Sequence, residues 1–355
     1  MSSVDTPDGA PESRKKQRAG WKRYVFGGAG IAIVVVTFAV VLPRIADYRD
    51  VWDVVTTLTW EWIVVLSAAM ALNIATFAPP WMIALPGLGF KQSLRMTQAS
   101  TALSIVAPGG AAVGMAGSFG MLRGWGYSTS DVTRAVTLTG VWNQLANLVF
   151  PVVALFLLKA NGGETALLGT VAFAGVVVLG VVVSLLVLVL YSESLAREVG
   201  DAVAAFVSWV KARVRRGPVA FGGASFVRFR NDVVDLLARR WHVLTLASLA
   251  GSLTVFLLLL LSLRAVGVPA SEVDAIEIFA AWSLVRIIGA IPITPGGFGI
   301  VELGLTTALV AFGGANAKVV AAVLIYRFLT VVPTLVLGGL AAITWRSRAA
   351  ISPDG

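Results

Sequence analysis

The chain has 355 residues, of which 57% are hydrophobic and only 13% are charged, and its mean hydropathy is +0.85. Soluble domains carry about 25% charged residues, so this composition excludes an ordinary soluble protein and indicates an all-α polytopic membrane protein. The sequence has no cysteine and one histidine, His242. These counts exclude disulfides, thiol nucleophiles and bis-histidine haem, and they disfavour a zinc site.

The net charge of +9 is explained by two basic segments, residues 14–23 and the polar stretch 191–240. The positive-inside rule places both in the cytoplasm, and the connections expected outside are richer in acids. The basic residues therefore predict membrane orientation rather than a nucleic-acid partner. We expect a multi-pass protein of the cell (inner or plasma) membrane with both termini in the cytoplasm.

In chain order, residues 1–23 are predicted to be a disordered basic N-terminus, 24–345 a transmembrane domain and 346–355 a cytoplasmic tail. Apolar stretches of about 20 residues can cross ~30 Å of hydrocarbon. Six full spans are predicted, at about residues 24–43, 62–84, 132–158, 166–190, 241–263 and 318–344. The cytoplasmic connector 191–240 starts with an amphipathic helix, which we expect on the membrane surface.

Two further apolar regions are interrupted by proline and glycine. The first covers residues 92–123 and is interrupted at 108–110; the second covers residues 275–313 and is interrupted at 292–299. Proline removes a backbone donor and glycine admits positive φ, so each block is expected to end a helix. Each arm of about 14–17 residues is roughly 21–25 Å long, short of the membrane core. We predict two broken or re-entrant helical hairpins, with half-depth and full-span geometries both open.

The order span, hairpin, span occurs twice, at about residues 62–158 and 241–344. Because the positive-inside orientation makes the two units enter from opposite faces, the sequence predicts an inverted repeat. Paired segments interrupted by glycine and proline point to a transporter's binding site near the membrane midplane.

Four charged residues of the second unit are candidates for burial inside the membrane: Arg286, Glu302, Lys318 and Arg327. A charge at the bilayer centre costs at least ~2.5–3.5 kcal/mol, so each requires a reason. Lys318 can extend to the interface. The other three can converge near the second hairpin tip. One interpretation is a structural ion pair of Glu302 with either arginine. The other is a phosphate site, in which the surplus arginine and the helix restarting after Gly297 attract an anion.

Candidate substrate-binding residues therefore lie among these charges, at both hairpin tips and at polar positions of the first unit. They are Arg286, Arg327, Glu302, Thr294, Pro295, Gly296, Gly297, Gly299, Pro108, Gly109, Gly110, Ser118 and Gln144. Gln144 and its neighbour Asn143 are expected to be buried amides, for which hydrogen bonding between helices is the competing explanation.

The stretch from Thr294 to Glu302, followed by Tyr326, Arg327 and Pro333, closely resembles the second-half signature of the lysylphosphatidylglycerol synthase transmembrane region family. The first-half Pro-Gly-Gly looks similar to the family's first hairpin. The resemblance covers about residues 25–345. It implies a stand-alone flippase-like domain, without the aminoacyltransferase domain of the fused synthases, that moves lipids between leaflets.

One departure concerns the first hairpin. Many family members carry a charged pair there, whereas residues 114–122 of this chain are uncharged. Any substrate contact by this hairpin must therefore use its backbone or Ser118.

We expect a transporter of an anionic, phosphate-bearing lipid, whose headgroup could be aminoacylated or polyprenyl. Since the sequence shows no soluble catalytic domain and no metal or nucleotide motif, we expect no enzymatic activity and no cofactor. The absence of a P-loop also argues against ATP-driven pumping. Arg286 and Arg327 would hold the phosphate, Glu302 would orient them or exchange a proton, and the hairpin tips would act as opposed gates. Two alternatives stay open: a membrane enzyme with Glu302 as general base, and an accessory scaffold whose partner is an envelope-synthesis enzyme.

Overall fold

A computed structural model of the chain describes residues 48–107, 110–162, 166–213, 223–290 and 294–349. Within these ranges the chain forms helices and no strand, which confirms the all-α class. The helices are α1 Tyr48–Thr56, α2 Trp60–Thr76, α3 Pro79–Ala84, α4 Phe90–Val106, α5 Gly110–Gly124, α6 Thr129–Ala160, α7 Ala166–Tyr191, α8 Glu193–Arg213, α9 Gly223–Ala265, α10 Ala275–Ala290, α11 Ile300–Ala311 and α12 Asn316–Ala349. A 3-10 turn, Pro295–Gly297, precedes α11.

Five stretches of the described residues are long and apolar enough to cross a membrane: Trp60–Ala84, Thr129–Ala160, Phe173–Tyr191, Phe229–Ala265 and Asn316–Ala342. They match five of the six predicted spans, and the predicted span at 24–43 lies outside the described residues. Within the described structure, 0% of the most apolar 18-residue stretch of α7 is buried. Apolar side chains exposed on all sides are expected for a helix at the lipid boundary. The protein is a polytopic α-helical membrane protein.

Two helix boundaries differ from the prediction. The span predicted at 62–84 is divided into α2 and α3, because Pro79 and Pro80 have no N–H to continue the helical hydrogen bonds. The span predicted at 241–263 begins much earlier, at Gly223, and α9 is 43 residues long. At ~1.5 Å per residue it measures roughly 65 Å, about twice the hydrocarbon thickness, so its polar first part extends beyond the membrane.

The amphipathic helix α8 packs along this polar part of α9. Ala196 and Gly200 are buried at the contact, and Arg230 Nη2 donates to the carbonyl oxygen of Tyr191 at 2.9 Å. The two helices therefore form a hairpin. The location of α8 on the membrane surface stays a prediction.

Both predicted hairpins are present as helix pairs, α4 with α5 and α10 with α11. In the second hairpin Gly296, Gly297 and Gly299 adopt φ values of +60°, +66° and +83°, a region that residues with a Cβ rarely adopt. The positive φ values explain why the helix ends and restarts here. In the first hairpin, Pro108 and Gly109 lie outside the described residues. The depth of either hairpin in the membrane stays a prediction.

The two units interlock through their hairpins. The arm α4 of the first hairpin packs on α12, and the arm α10 of the second packs on α6. At the α4–α12 contact, a Cβ on Gly338 would lie 2.5 Å from Ala102 Cβ and 2.6 Å from the carbonyl oxygen of Gln98. Each hairpin is thus held by the last helix of the other unit. This exchange agrees with two matching units, and their inverted symmetry stays a prediction.

An aromatic cluster fixes the position of α10 in this arrangement. The Phe279 ring lies 5.9 Å from Phe150 and 5.1 Å from Phe256, and it stacks on Trp282 with centroids 5.7 Å apart. Such pairs contribute about 0.5–1.5 kcal/mol each beyond the burial of their area. The cluster anchors α10 against α6 and α9 one helical turn before Arg286.

Candidate functional site

A cavity of about 670 Å³ lies between the two hairpins, α6 and α12. Its lining includes polar groups from both units: Ser104 and Ser118 from the first hairpin, Gln144 from α6, Arg286 from α10 and Arg327 from α12. This volume is within the ~300–1,000 Å³ range of ligand sites. The structure thus brings four of the predicted site residues, Ser118, Gln144, Arg286 and Arg327, to one cavity.

Arg286 is surrounded by neutral groups. Its Nε donates to Asn147 Oδ1 at 2.5 Å, its Nη2 lies 3.4 Å from Ser252 Oγ, and its guanidinium lies 5.2 Å from the centre of the Trp282 ring. These contacts orient the guanidinium without neutralising it. Since an arginine in a membrane interior is costly, an arginine held in this way is a candidate for anion binding.

Arg327 has a different environment, because it forms an ion pair with Glu302. Its Nε donates to Glu302 Oε1 at 2.6 Å and its Nη2 to the carbonyl oxygen of Gly296 at 2.9 Å. The side chains of Arg327 and Glu302 are only 12% and 3% exposed. Of the two predicted pairings, the structure therefore has Glu302 with Arg327. Glu302 lies behind Arg327 rather than on the cavity wall.

At the N-terminus of α11, where the sequence predicts an anion site, the structure places a carboxylate of the protein itself. The backbone N–H of Gly299 donates to Glu302 Oε2 at 2.7 Å, so the protein's own carboxylate already caps this helix end. Thr294, Gly296, Gly297 and Gly299 are not among the described residues that line the cavity. Gly296 contacts Arg327 from behind through its carbonyl oxygen.

The two hairpin tips meet beside α12. Phe298, from the second tip, packs with Ile105, the penultimate residue of α4, and with Val331 of α12. The guanidinium of Arg327 lies 4.9 Å from the centre of the Phe298 ring. The two tips are therefore in contact next to Arg327.

In the first hairpin, the arms approach closely near the predicted tip. A Cβ on Gly114 would lie 2.6 Å from the carbonyl oxygen of Ser100, so this glycine is required for the contact between α4 and α5. Gly110, at φ +37°, starts α5 but does not line the cavity. Ser118 does line it, as predicted. The predicted site residues Pro108 and Gly109 lie outside the described residues.

The amides of α6 are placed differently from the prediction. Asn143 and Gln144 are exposed on the cavity wall rather than buried between helices. Gln144 Oε1 accepts from Asn147 Nδ2 at 3.1 Å, so the amides of α6 continue the hydrogen bonds of Arg286. The sequence prediction missed Asn147. Its signal was the spacing of 143, 144 and 147, which places three amides on one face of an apolar helix.

Other cavity residues were also missed. Tyr326 and Trp282 are buried aromatic residues that line the cavity beside the two arginines. The available signal was position in the sequence: Tyr326 directly precedes Arg327, and Trp282 lies one helical turn before Arg286. Lys318 is partly exposed and donates to the carbonyl oxygen of Gly267 at 2.9 Å, away from the cavity. Among the described residues no group of three or more His, Asp or Glu side chains is placed to hold a metal ion.

Comparison with known proteins gives one family. The family model described as Lysylphosphatidylglycerol synthase TM region matches residues 28–338, a range that contains both hairpins and the whole cavity lining. No curated protein matches the chain at a significant level.

Proposed function

This chain belongs to the lysylphosphatidylglycerol synthase TM region family, and on that premise we propose that it moves an anionic, phosphate-bearing lipid between the two leaflets of its membrane. The family and the apolar spans establish a lipid-related role in a membrane. Leaflet-to-leaflet transport is the specific activity that the cavity supports best.

The observation that carries this proposal is Arg286 on the wall of a cavity between membrane helices, with neutral hydrogen-bond partners. Arg327 is compensated by Glu302, so one positive charge, that of Arg286, stays uncompensated among the described residues of the lining. In surroundings of low dielectric, that charge attracts an anion more strongly than it would in water. A guanidinium also matches the geometry of a phosphate with two parallel hydrogen bonds.

In the proposed mechanism, Arg286 binds the lipid phosphate, and the amides of Asn143 and Gln144 offer hydrogen bonds to the rest of the headgroup. Arg327 is kept in place by Glu302 and contributes to the positive potential. The contact between Ile105 and Phe298 acts as a gate: the two hairpin tips separate there when the headgroup passes. Polar headgroups cross hydrocarbon slowly because they lose their hydration, and the cavity replaces part of it.

A transport experiment tests this proposal. The purified protein is reconstituted in liposomes with a fluorescent phosphatidylglycerol, and the rate of crossing is measured with a quencher that reaches one leaflet only. Arg286→Met should slow crossing roughly 10- to 100-fold, because hydrogen bonds to a charged group contribute about 1.5–3 kcal/mol. Arg286→Lys should retain part of the rate, since it keeps the charge but loses the planar fork.

The matched control is Arg134→Gln, which removes a partly buried arginine of α6 that pairs with Asp131 away from the cavity. This control variant should move lipid at the native rate. If a folded Arg286→Met protein also moved lipid at the native rate, the phosphate site would be refuted. An absence of crossing for both phosphatidylglycerol and a polyprenyl phosphate would overturn the transport proposal and favour the scaffold or enzyme alternatives.

A further inference from the structure

An apolar groove of about 480 Å³ lies between α5, α6 and α7 on the outside of the bundle. Apart from Thr137 and Gln144, it is lined by apolar residues. Its main walls are Val136, Val141, Leu145, Leu148, Val182 and Leu186. The groove exists because α6 and α7 touch at one end and separate toward the other. At the touching end, a Cβ on Gly175 would lie 3.1 Å from Val152 Cγ2.

The groove is continuous with the cavity that contains Arg286. Met115, Gly140 and Gln144 line both spaces. A Cβ added to Gly140 would meet nothing within 4 Å, so the passage at this residue is open. A polar, positively charged cavity therefore opens sideways into an apolar groove at the lipid-facing surface.

We propose that this groove holds an acyl chain of the lipid whose phosphate is bound by Arg286. This inference rests on the proposed function and specifies its substrate as an acylated anionic lipid rather than a free anion. Charge complementarity selects the headgroup for the cavity. The continuity at Gly140 then leads the rest of the same molecule into the groove.

The dimensions of the groove fit one chain in one leaflet. From Val136 to Leu148 the groove follows thirteen residues of α6, whose twelve steps of ~1.5 Å span roughly 18 Å. Half of a ~30 Å hydrocarbon core is about 15 Å. The groove lies toward the end of α7 that leads into the basic segment 191–240, which the positive-inside rule assigns to the cytoplasmic side. The lipid it receives is therefore one from the inner leaflet.

The groove would act through access rather than affinity. A chain moved from lipid tails to an apolar protein surface gains no hydrophobic free energy, since both surroundings are apolar. Its benefit is that the headgroup can enter the cavity while the chain stays among apolar groups. A side chain that fills the groove should therefore block lipids and leave the binding of a headgroup without chains unchanged.

The test uses two adjacent tryptophan variants of α7. Val182→Trp fills the groove, whereas Val181→Trp places the same side chain on a neighbouring, exposed position that does not line it. Each protein is reconstituted with phosphatidylglycerol that carries a photoreactive diazirine on one acyl chain, and cross-linked peptides are identified by mass spectrometry. Crossing of fluorescent phosphatidylglycerol is measured in the same preparations.

We expect cross-links at residues 136–148 and 182–186 in the native protein and in Val181→Trp. Val182→Trp should lose these cross-links. Lipid should cross between leaflets about tenfold more slowly in this variant, which corresponds to ~1.4 kcal/mol of added barrier. Binding of glycerophosphoglycerol, the same headgroup without chains, should be unchanged in Val182→Trp and weakened in Arg286→Met.

The outcomes separate this inference from the proposed function. The groove inference would be overturned if folded Val182→Trp moved lipid at the native rate. Cross-links found only on other lipid-facing surfaces would overturn it too. Either result would leave the Arg286 result standing. If every variant, Arg286→Met included, moved lipid as fast as the native protein, the phosphate site itself would be refuted.

Discussion

Arg286 of α10 and Arg327 of α12 line one cavity, but their partners make them chemically different. Arg286 has neutral partners, whereas Arg327 is held by a carboxylate. A membrane-embedded charge costs at least ~2.5–3.5 kcal/mol, so Arg286→Met should keep or raise the melting temperature in detergent while it slows transport. A thermal denaturation scan beside the transport assay checks this. A large fall in melting temperature would instead identify Arg286 as a structural residue.

Glu302 should show the opposite behaviour at the same scale. Glu302→Ala leaves Arg327 and the N–H of Gly299 without their acceptor, and loss of one partner of a buried ion pair destabilises by about 3–5 kcal/mol. We expect a clear fall in melting temperature. Adding Arg327→Met should recover much of it, because the uncompensated charge is then gone. Equal stability of the single and double variants would contradict the structural pair.

At the scale of the elements, the hairpins depend on close helix contacts in the interlocked units. Gly338→Ala would place a Cβ 2.5 Å from Ala102 Cβ and 2.6 Å from a backbone oxygen of α4. Overpacking of this kind costs about 1–3 kcal/mol, so the melting temperature should fall. The adjacent Gly339→Ala meets nothing within 4 Å and should stabilise α12 slightly through helix propensity. Equal melting temperatures of the two variants would show that α4 and α12 separate easily.

At the scale of the whole molecule, the orientation in the membrane follows from charge and is open to direct test. The chain has no cysteine, so one introduced thiol reports alone. Ser194→Cys, at the start of α8, should react with a membrane-impermeant thiol reagent only from the cytoplasmic side. Ser271→Cys, between α9 and α10 beside acidic residues, should react only from outside, because basic segments stay in the cytoplasm. Labelling of the two variants from exchanged sides would reverse the predicted orientation, and labelling of both variants from the same side would refute the predicted topology.

The sequence alone determined the elements of this protein. Apolar length predicted five spans that the structure confirms, and the proline and glycine blocks predicted both helix breaks, since these are local effects of backbone geometry and solvation. It also identified the family, through the segment from Thr294 to Glu302. The misplaced boundaries at Pro79 and Gly223 arose where hydropathy alone was followed.

Only the tertiary structure decided which charges are compensated. Glu302 lies between two arginines in sequence, and it was the packing of α11 on α12 that gave it to Arg327 and left Arg286 to Asn147. Periodicity placed Asn143 and Gln144 in a helix but could not show that one face of that helix borders a cavity. Pairing energies and cavities depend on distances between helices far apart in the chain, and no local pattern of residues records those distances.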